Sequence, residues 1–393
     1  MTHNKALEIC PGELDFFTSR LLRTEAGEKL LHCIQCGTCS GSCPTVKSWG
    51  ITPRQVVRLL QLGKKEEILR PEVLYFCSQC YACKVRCPMG IKLSDVLIEL
   101  RHIAVQNKVG PLEPQTALVK SVRNYDNPWM QPRAQRDRWA KKLRLNIIPR
   151  KKAEVLYYPG CTAAFVPAVQ GVALATARLF QYLDIDFGIL GREEKCCGST
   201  SLRVGEKELY EELALQNIEQ FNSSGVKTIV TACAGCFGVI KHEYPKLAYL
   251  EPEVLHLSEY LVRLVEEGRL KFPAYPLKVT YHDPCHLGRH GGVFEAPRKV
   301  LEMIPGVELL EMHRIKENSR CCGAGGGVRT AHANFAGELA AARLDEAINT
   351  GAEALVTCCP FCEQNLVDAL KAAGNPLRFY DLVELITKIF KIT

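Results

Sequence analysis

Residues 155–161 read Val155-Leu156-Tyr157-Tyr158-Pro159-Gly160-Cys161, and residues 279–285 read Val279-Thr280-Tyr281-His282-Asp283-Pro284-Cys285. The likeness continues downstream. Cys196-Cys197-Gly198 is answered by Cys321-Cys322-Gly323. Val230-Thr231-Ala232-Cys233, followed by Cys236, is answered by Val356-Thr357-Cys358-Cys359, followed by Cys362. The matched cysteines stay roughly 125 residues apart, so two copies of one fold are the simplest reading. In the first copy, Val155 to Tyr158 is a short β-prone run with Cys161 just beyond it. A helical stretch with Val172, Leu174, Leu179 and Phe180 follows, and Glu206 to Phe221 carries Leu209, Leu213 and Ile218 on one stripe. Lys227 to Ala232 reads as a strand that ends at Cys233. The second copy repeats this with strands at Lys278 to Tyr281 and Ala354 to Thr357 and a helix from Phe335 to Ile348. Alternating strands and helices imply a parallel sheet in each copy. Ligands of such sheets bind beyond the carboxyl ends of the strands, which is where these cysteines fall.

The N-terminal part has no such alternation. It carries Cys33-x2-Cys36-x2-Cys39-x3-Cys43-Pro44 and then Cys77-x2-Cys80-x2-Cys83-x3-Cys87-Pro88. Both match the run of two-cluster ferredoxins, in which the fourth cysteine ligates the other cluster. The expected ligand sets are therefore Cys33, Cys36, Cys39 and Cys87 for one cubane [4Fe-4S] cluster, and Cys77, Cys80, Cys83 and Cys43 for a second. Structural zinc prefers thiolates in two separated pairs and fits two successive four-cysteine runs badly. Between the runs, Thr52-Pro53 reads as a helix cap with proline at the first helical position. The helix it opens, to about Leu62, carries Val56, Val57, Leu59 and Leu60, and another helix is expected around Leu93 to Val105.

The composition is that of an ordinary globular protein with room for two or three domains. A net charge of +7 does not argue for nucleic acid. The start, Met1 to Cys10, has no apolar core of signal-peptide length, and no uncharged apolar stretch reaches the roughly 18 residues that span a bilayer. A cytoplasmic location is expected, with any membrane association made through a partner. There, dense cysteines read as metal ligands or redox groups rather than disulfides. From Arg133 to Lys152 there are nine Lys or Arg and one acid, Asp137, which reads as the solvated face of a linker. Trp129 and Trp139 are expected to pack locally. The division is 1–105 for the helical ferredoxin-like unit, 106–153 for the linker, and 154–272 and 273–393 for the two repeats. The fold class is α+β overall: an all-helical two-cluster ferredoxin unit, then two α/β repeats with short parallel sheets.

Each repeat resembles the cysteine-rich CCG domain, Cys-x(31–39)-Cys-Cys-x(35–36)-Cys-x2-Cys. The chain has Cys161-x34-Cys196-Cys197-x35-Cys233-x2-Cys236 and Cys285-x35-Cys321-Cys322-x36-Cys359-x2-Cys362. Over nearly its whole length it resembles the heterodisulfide reductase D-type family, which fuses a ferredoxin unit to a CCG pair. The resemblance implies one noncubane [4Fe-4S] cluster on the five cysteines of each copy, facing each other across the interface. It implies a disulfide cleaved between them in two one-electron steps, or the reverse on thiols, with the cubanes as the wire to a donor. The implied partners are a flavin-containing or other redox subunit, a membrane cytochrome or quinone-linked subunit, and a small thiol or disulfide substrate, with no nucleic acid. The other reading is a pure electron relay of a dehydrogenase, an electron-transfer-flavoprotein:quinone oxidoreductase or a benzoyl-CoA reductase-type complex. That both motifs are complete favours disulfide chemistry.

Cations near these ligands are candidates to bind an anionic thiol or to donate a proton to a leaving thiolate. His286 and Arg289, close after Cys285, lead them; His290, Arg320, Lys241 and His242 are nearby. The run Gly325-Gly326-Gly327 permits close backbone approach, and with no Gly-Lys-Ser/Thr after it, it is not a phosphate loop. Cys358, aligned with Ala232, and Cys10 are read as bystanders.

Overall fold

The computed structural model describes residues 21–374 and 377–392. Cys10 lies outside them. The molecule is built as expected, with a helical N-terminal unit followed by two α/β repeats. Before residue 146 the described chain has helices and no strands. Helix Pro53–Gln61 starts where Thr52 accepts the N–H of Gln55 and Gln55 returns the bond to the Thr52 N–H, a reciprocal cap. Its Val56, Val57 and Leu60 are buried. Helix Leu93–Gln106 packs beside them, with Val96, Leu97 and Leu100 in the same core.

The first repeat carries β1 (Asn146–Ile147), β2 (Val155–Tyr157), β3 (Phe187–Ile189), β4 (Thr228–Thr231) and β5 (Glu253–His256) in the order β1-β3-β2-β4-β5. The second carries β6 (Leu277–Tyr281), β7 (Val307–Leu309), β8 (Ala354–Thr357) and β9 (Arg378–Asp381) in the order β7-β6-β8-β9. Every pairing is parallel. With β1 set aside, the two orders are the same. In each, the chain moves outward from the first central strand to one edge, then returns to the other side. The order reverses between β2 and β4, and between β6 and β8, and an open α/β sheet offers a crevice at that point. Cys161 and Cys233 follow β2 and β4; Cys285 and Cys359 follow β6 and β8.

Residues 106–153 are not a plain linker. They form helix Glu113–Tyr125 and supply β1, which pairs with β3 at the edge of the first sheet. The side chains of this segment are drawn into both repeats. Trp139 packs edge-on to Tyr157 in the first core, whereas Trp129 packs against Phe361 of the second repeat rather than locally. Periodicity within so short a stretch carries no sign of these distant partners.

A few buried polar groups bind the units together. Arg101, fully buried, donates to the carbonyls of Leu74 and Cys77 in the helical unit, Arg203 in the first repeat and Gly326 in the second. Gln115 donates to the Gly327 carbonyl, and the Tyr75 hydroxyl to that of Val204. The glycine run serves this junction. A Cβ on Gly326 would come within 2.5 Å of the Cys77 carbonyl oxygen, and one on Gly325 within 2.6 Å of that of Ser78.

Candidate metal centre

The two N-terminal cysteine loops share a backbone. Gln35 and Gln79, each between the first two cysteines of its run, have φ of 55°. Gly37 and Tyr81, each just after the second cysteine, have φ of 82° and 63°. A left-handed tyrosine is unusual and needs support from its surroundings. Tyr81 has it: the ring stacks on His290 at 3.3 Å, and Arg203 donates to its hydroxyl at 3.0 Å. The loops bring the thiols into two groups that exchange their last members. Burial raises the Cys39 thiol, with Cys33 and Cys87 adding to the effect. Burial pushes Cys43 up to about 12, reinforced by Cys80 and Cys77. Cys87 thus lies with the first run and Cys43 with the second. The Gln35 amide donates to Cys33 Sγ, and the Gln79 N–H donates to Cys77 Sγ, both at 3.4 Å.

In the repeats all ten motif cysteines are buried. Each pair is followed by a glycine in the left-handed region, Gly198 at φ 76° and Gly323 at φ 89°. The N–H of each points back at a sulfur: Gly198 to Cys196 Sγ at 3.5 Å and Gly323 to Cys321 Sγ at 3.3 Å. Gly160 leaves room beside Cys236, since a Cβ there would lie 2.8 Å from its Sγ. The thiols neighbour one another in a chain, and Cys322 Sγ donates to Cys362 Sγ at 3.4 Å. In the first copy the chain runs Cys161, Cys196, Cys197, Cys236, Cys233; in the second Cys285, Cys321, Cys322, Cys362, Cys359. The copies join where Cys233 meets Cys359. The second also meets the helical unit, where Cys80 contacts Cys321.

The donor set fits iron–sulfur clusters. The nineteen described cysteines are all free thiols. Burial holds thiols such as Cys83 well above their ordinary range. So many apolar-packed thiols can ionise together only beside a cation, and clustered thiolates select iron–sulfur centres and zinc. Five thiols per copy, two of them adjacent in sequence, exceed one zinc tetrahedron.

A cavity of about 350 Å3 lies between the repeats. Nine of the ten motif cysteines line it, with His286 and Arg203 beside them. Leu118, Pro128, Trp129 and Met130 of the 106–153 segment and Phe361 add apolar walls to it. The leading cations are divided between two settings. His286 faces this cavity, with Nδ1 3.3 Å from Cys285 Sγ, and its ring stacks on His290. Arg289 points instead into the junction with the helical unit, donating to the carbonyls of Cys80, Glu317 and Ser319. Arg320 and Lys241 pair with Glu346 and Glu259.

Three side chains at these sulfurs escaped the sequence reading. Arg136, one of the nine basic residues taken for a solvated face, is buried. It donates to Cys161 Sγ at 3.3 Å and to Glu194 Oε1 at 2.7 Å. Burial raises the Glu194 carboxyl to about 7 in spite of that arginine. His282 and Arg343 are fully buried behind Cys322 and Cys362. Only the repeat alignment, which sets His282 opposite Tyr158, marks one of these positions in the sequence.

A helical two-run cysteine unit joined to a pair of cysteine-rich α/β domains defines an iron–sulfur oxidoreductase component. Family models agree: the 4Fe-4S dicluster domain matches residues 29–91, and the cysteine-rich domain matches residues 155–241 and 279–367. The chain belongs to the heterodisulfide reductase D-type family. It is 37% identical over 388 residues to the D-type component of the dihydromethanophenazine:CoB--CoM heterodisulfide reductase of Methanosarcina mazei, covering 92% of this chain and 94% of that one. It is also 36% identical over 340 residues to "EtfAB:quinone oxidoreductase" of Syntrophomonas wolfei, covering 82% of this chain and 47% of that one. A crystal structure of a hypothetical protein from Helicobacter pylori matches with a TM-score of 0.59 at 12% identity, over 96% of this chain and 74% of that one. That likeness shows the fold alone. No described helix is long and apolar enough to cross a membrane.

Proposed function

We propose that this chain takes electrons from a redox partner subunit through two cubane clusters and delivers them to two noncubane clusters that reduce a disulfide. Cys33, Cys36, Cys39 and Cys87 would hold the outer cubane, and Cys77, Cys80, Cys83 and Cys43 the inner one. The five motif cysteines of each repeat would hold one noncubane cluster. When bound, these clusters supply one-electron steps to a disulfide in the cavity between the copies. The observation that carries this reading is continuity. Thiols touch from Cys80 to Cys321, along the second copy to Cys359, and across to Cys233. The second copy is therefore the entry side and the first the far side. The apolar wall at Trp129 and Phe361 would take the arm of a small thiol or disulfide. His286, beside Cys285 and facing the cavity, is kept neutral by burial and is placed to offer an N–H to a departing thiolate. Arg289, committed to three carbonyls, fits a positioning role at the junction and not substrate binding. The units would divide at 1–105, 154–272 and 273–393, with 106–153 clasping the repeats. The protein would work in the cytoplasm, with a flavin-containing donor and any quinone or cytochrome link on other subunits.

The test uses the full chain purified and reconstituted without oxygen. Four [4Fe-4S] clusters correspond to about 16 irons per chain. Addition of a single thiol to the oxidised protein is expected to raise a new paramagnetic signal, and Cys197→Ser and Cys322→Ser each to abolish it. Zinc in place of iron would sink the redox reading. Full iron with no response to any thiol or disulfide would leave an electron relay, the role suggested by the likeness to the quinone oxidoreductase.

A further inference from the structure

One of the differences between the two copies lies behind the second cysteine of each adjacent pair. His282 and Tyr158 are structural counterparts: the His282 N–H donates to the Val356 carbonyl, and the Tyr158 N–H to that of Val230, each at 2.9 Å. Both side chains are fully buried. In the first copy the tyrosine lies near Cys197 and Cys236, but its hydroxyl is used up on the Lys195 carbonyl at 2.6 Å. In the second copy a ring nitrogen of His282 lies within 4.8 Å of both Cys322 and Cys362 Sγ, the equivalent sulfurs. Its Nδ1 receives the Nε–H of Arg343 at 3.2 Å. A guanidinium can only donate, so Nδ1 is the acceptor and a neutral ring carries its proton on Nε2. Arg343 is held in place by Glu346 at 2.6 Å and the Arg314 carbonyl at 2.9 Å. Nε2 is buried and has no partner within the protein. A buried N–H without a partner is costly, and such a group in a native fold calls for one that is supplied later.

We propose that His282 donates its Nε2–H to the sulfur of the cluster bound by the second repeat, and so raises the potential of that cluster. Hydrogen bonds to cluster or ligand sulfur stabilise the added negative charge of the reduced form. Arg343 acts through the ring by locking its tautomer. The inference rests on the reading that each repeat holds a cluster. The second-repeat site is then easier to reduce than it would be without the ring.

The experiment uses the full chain reconstituted without oxygen, labelled with 15N-histidine, and poised at a series of potentials. The second-site signal is the one that Cys322→Ser removes. In a His286→Leu background, which removes the other histidine beside these sulfurs, it should show a weak 15N coupling and an exchangeable deuteron, both lost when His282→Leu is added. His282→Leu by itself should lower the second-site midpoint by the equivalent of about tenfold in the reduced-to-oxidised ratio, about 59 mV for one electron. The first-site midpoint should stay put, and His282→Gln, which keeps an N–H, should recover part of the shift. An unmoved second-site midpoint in His282→Leu overturns the proposal, as does a strong coupling that marks direct nitrogen ligation. Should His282→Leu lose the second-site iron, the coupling in His286→Leu decides: present, it supports the donor; absent, it overturns it. A wild-type second site without iron overturns the functional reading and the inference together. Iron present without the coupling overturns the inference alone.

Discussion

The two cysteine-rich repeats share strand order, cysteine spacing and a left-handed glycine after each adjacent pair, yet different side chains press on their sulfurs. The first copy sets Arg136 with Glu194 against Cys161 and spends Tyr158 on a backbone carbonyl. The second sets His286 beside Cys285, leaves His282 free toward Cys322 and Cys362, and abuts Cys80 of the helical unit. A duplicated fold thus fixes where sulfur sits, while the electrostatics around it diverge. That is what two sites in series need if one accepts electrons and the other passes them on.

The sharpest way to break this comparison is to remove one buried arginine from beside each copy. Arg136→Leu strands Glu194, whose side chain is 2% exposed. Leaving a buried charge without its partner costs about 3–5 kcal/mol. Anaerobic denaturant unfolding should show that loss, with the first-copy cluster released at lower denaturant than the second. Arg289→Leu strands carbonyls and no carboxylate, and should cost less. An equal or larger loss for Arg289→Leu would mean that the junction, not the first copy, holds the critical charge.

The next effect separates the two glycines. Alanine in the left-handed region costs about 1–2 kcal/mol, and crowding a packed site adds about 1–3 kcal/mol. A Cβ on Gly323 meets the Ala336 carbonyl oxygen at 2.7 Å, whereas one on Gly198 meets only the Tyr210 ring at 3.0 Å. Gly323→Ala should therefore lower the melting temperature more than Gly198→Ala, and lose second-site iron first. The reverse order would show that the Tyr210 ring is the stiffer wall.

The smallest effect concerns Cys358, which has Ala232 as its counterpart. It is buried against the Tyr281 hydroxyl, on which its hydrogen bond falls. Cys358→Ala should cost about 1–2 kcal/mol, as for any buried truncation of that size, and leave the iron content unchanged. Loss of about four irons per chain would make Cys358 a ligand and break the equivalence of the two motifs.

The sequence was most legible where the chemistry is local. Cysteine spacing, the Thr52-Pro53 helix start and the alternation of β2, β4, β6 and β8 with helices all depend on a few neighbouring residues. The outer strands β1, β3, β5, β7 and β9 went unread, because strands of two to four residues carry too little pattern. The segment 106–153 was misjudged for a related reason. Arg136 looks like its eight basic neighbours, and nothing within its stretch points to Glu194, 58 residues on.

Taken alone, the sequence determined that this protein holds iron–sulfur clusters on a helical unit and a duplicated α/β fold, because thiol spacing and periodicity are properties of short segments. The tertiary structure alone decided that the second copy abuts Cys80, that Arg136 and His282 face sulfur, and that Trp129 lines the cavity between the copies. Those facts are set by which faces bury against each other, and burial brings together residues that no local pattern connects.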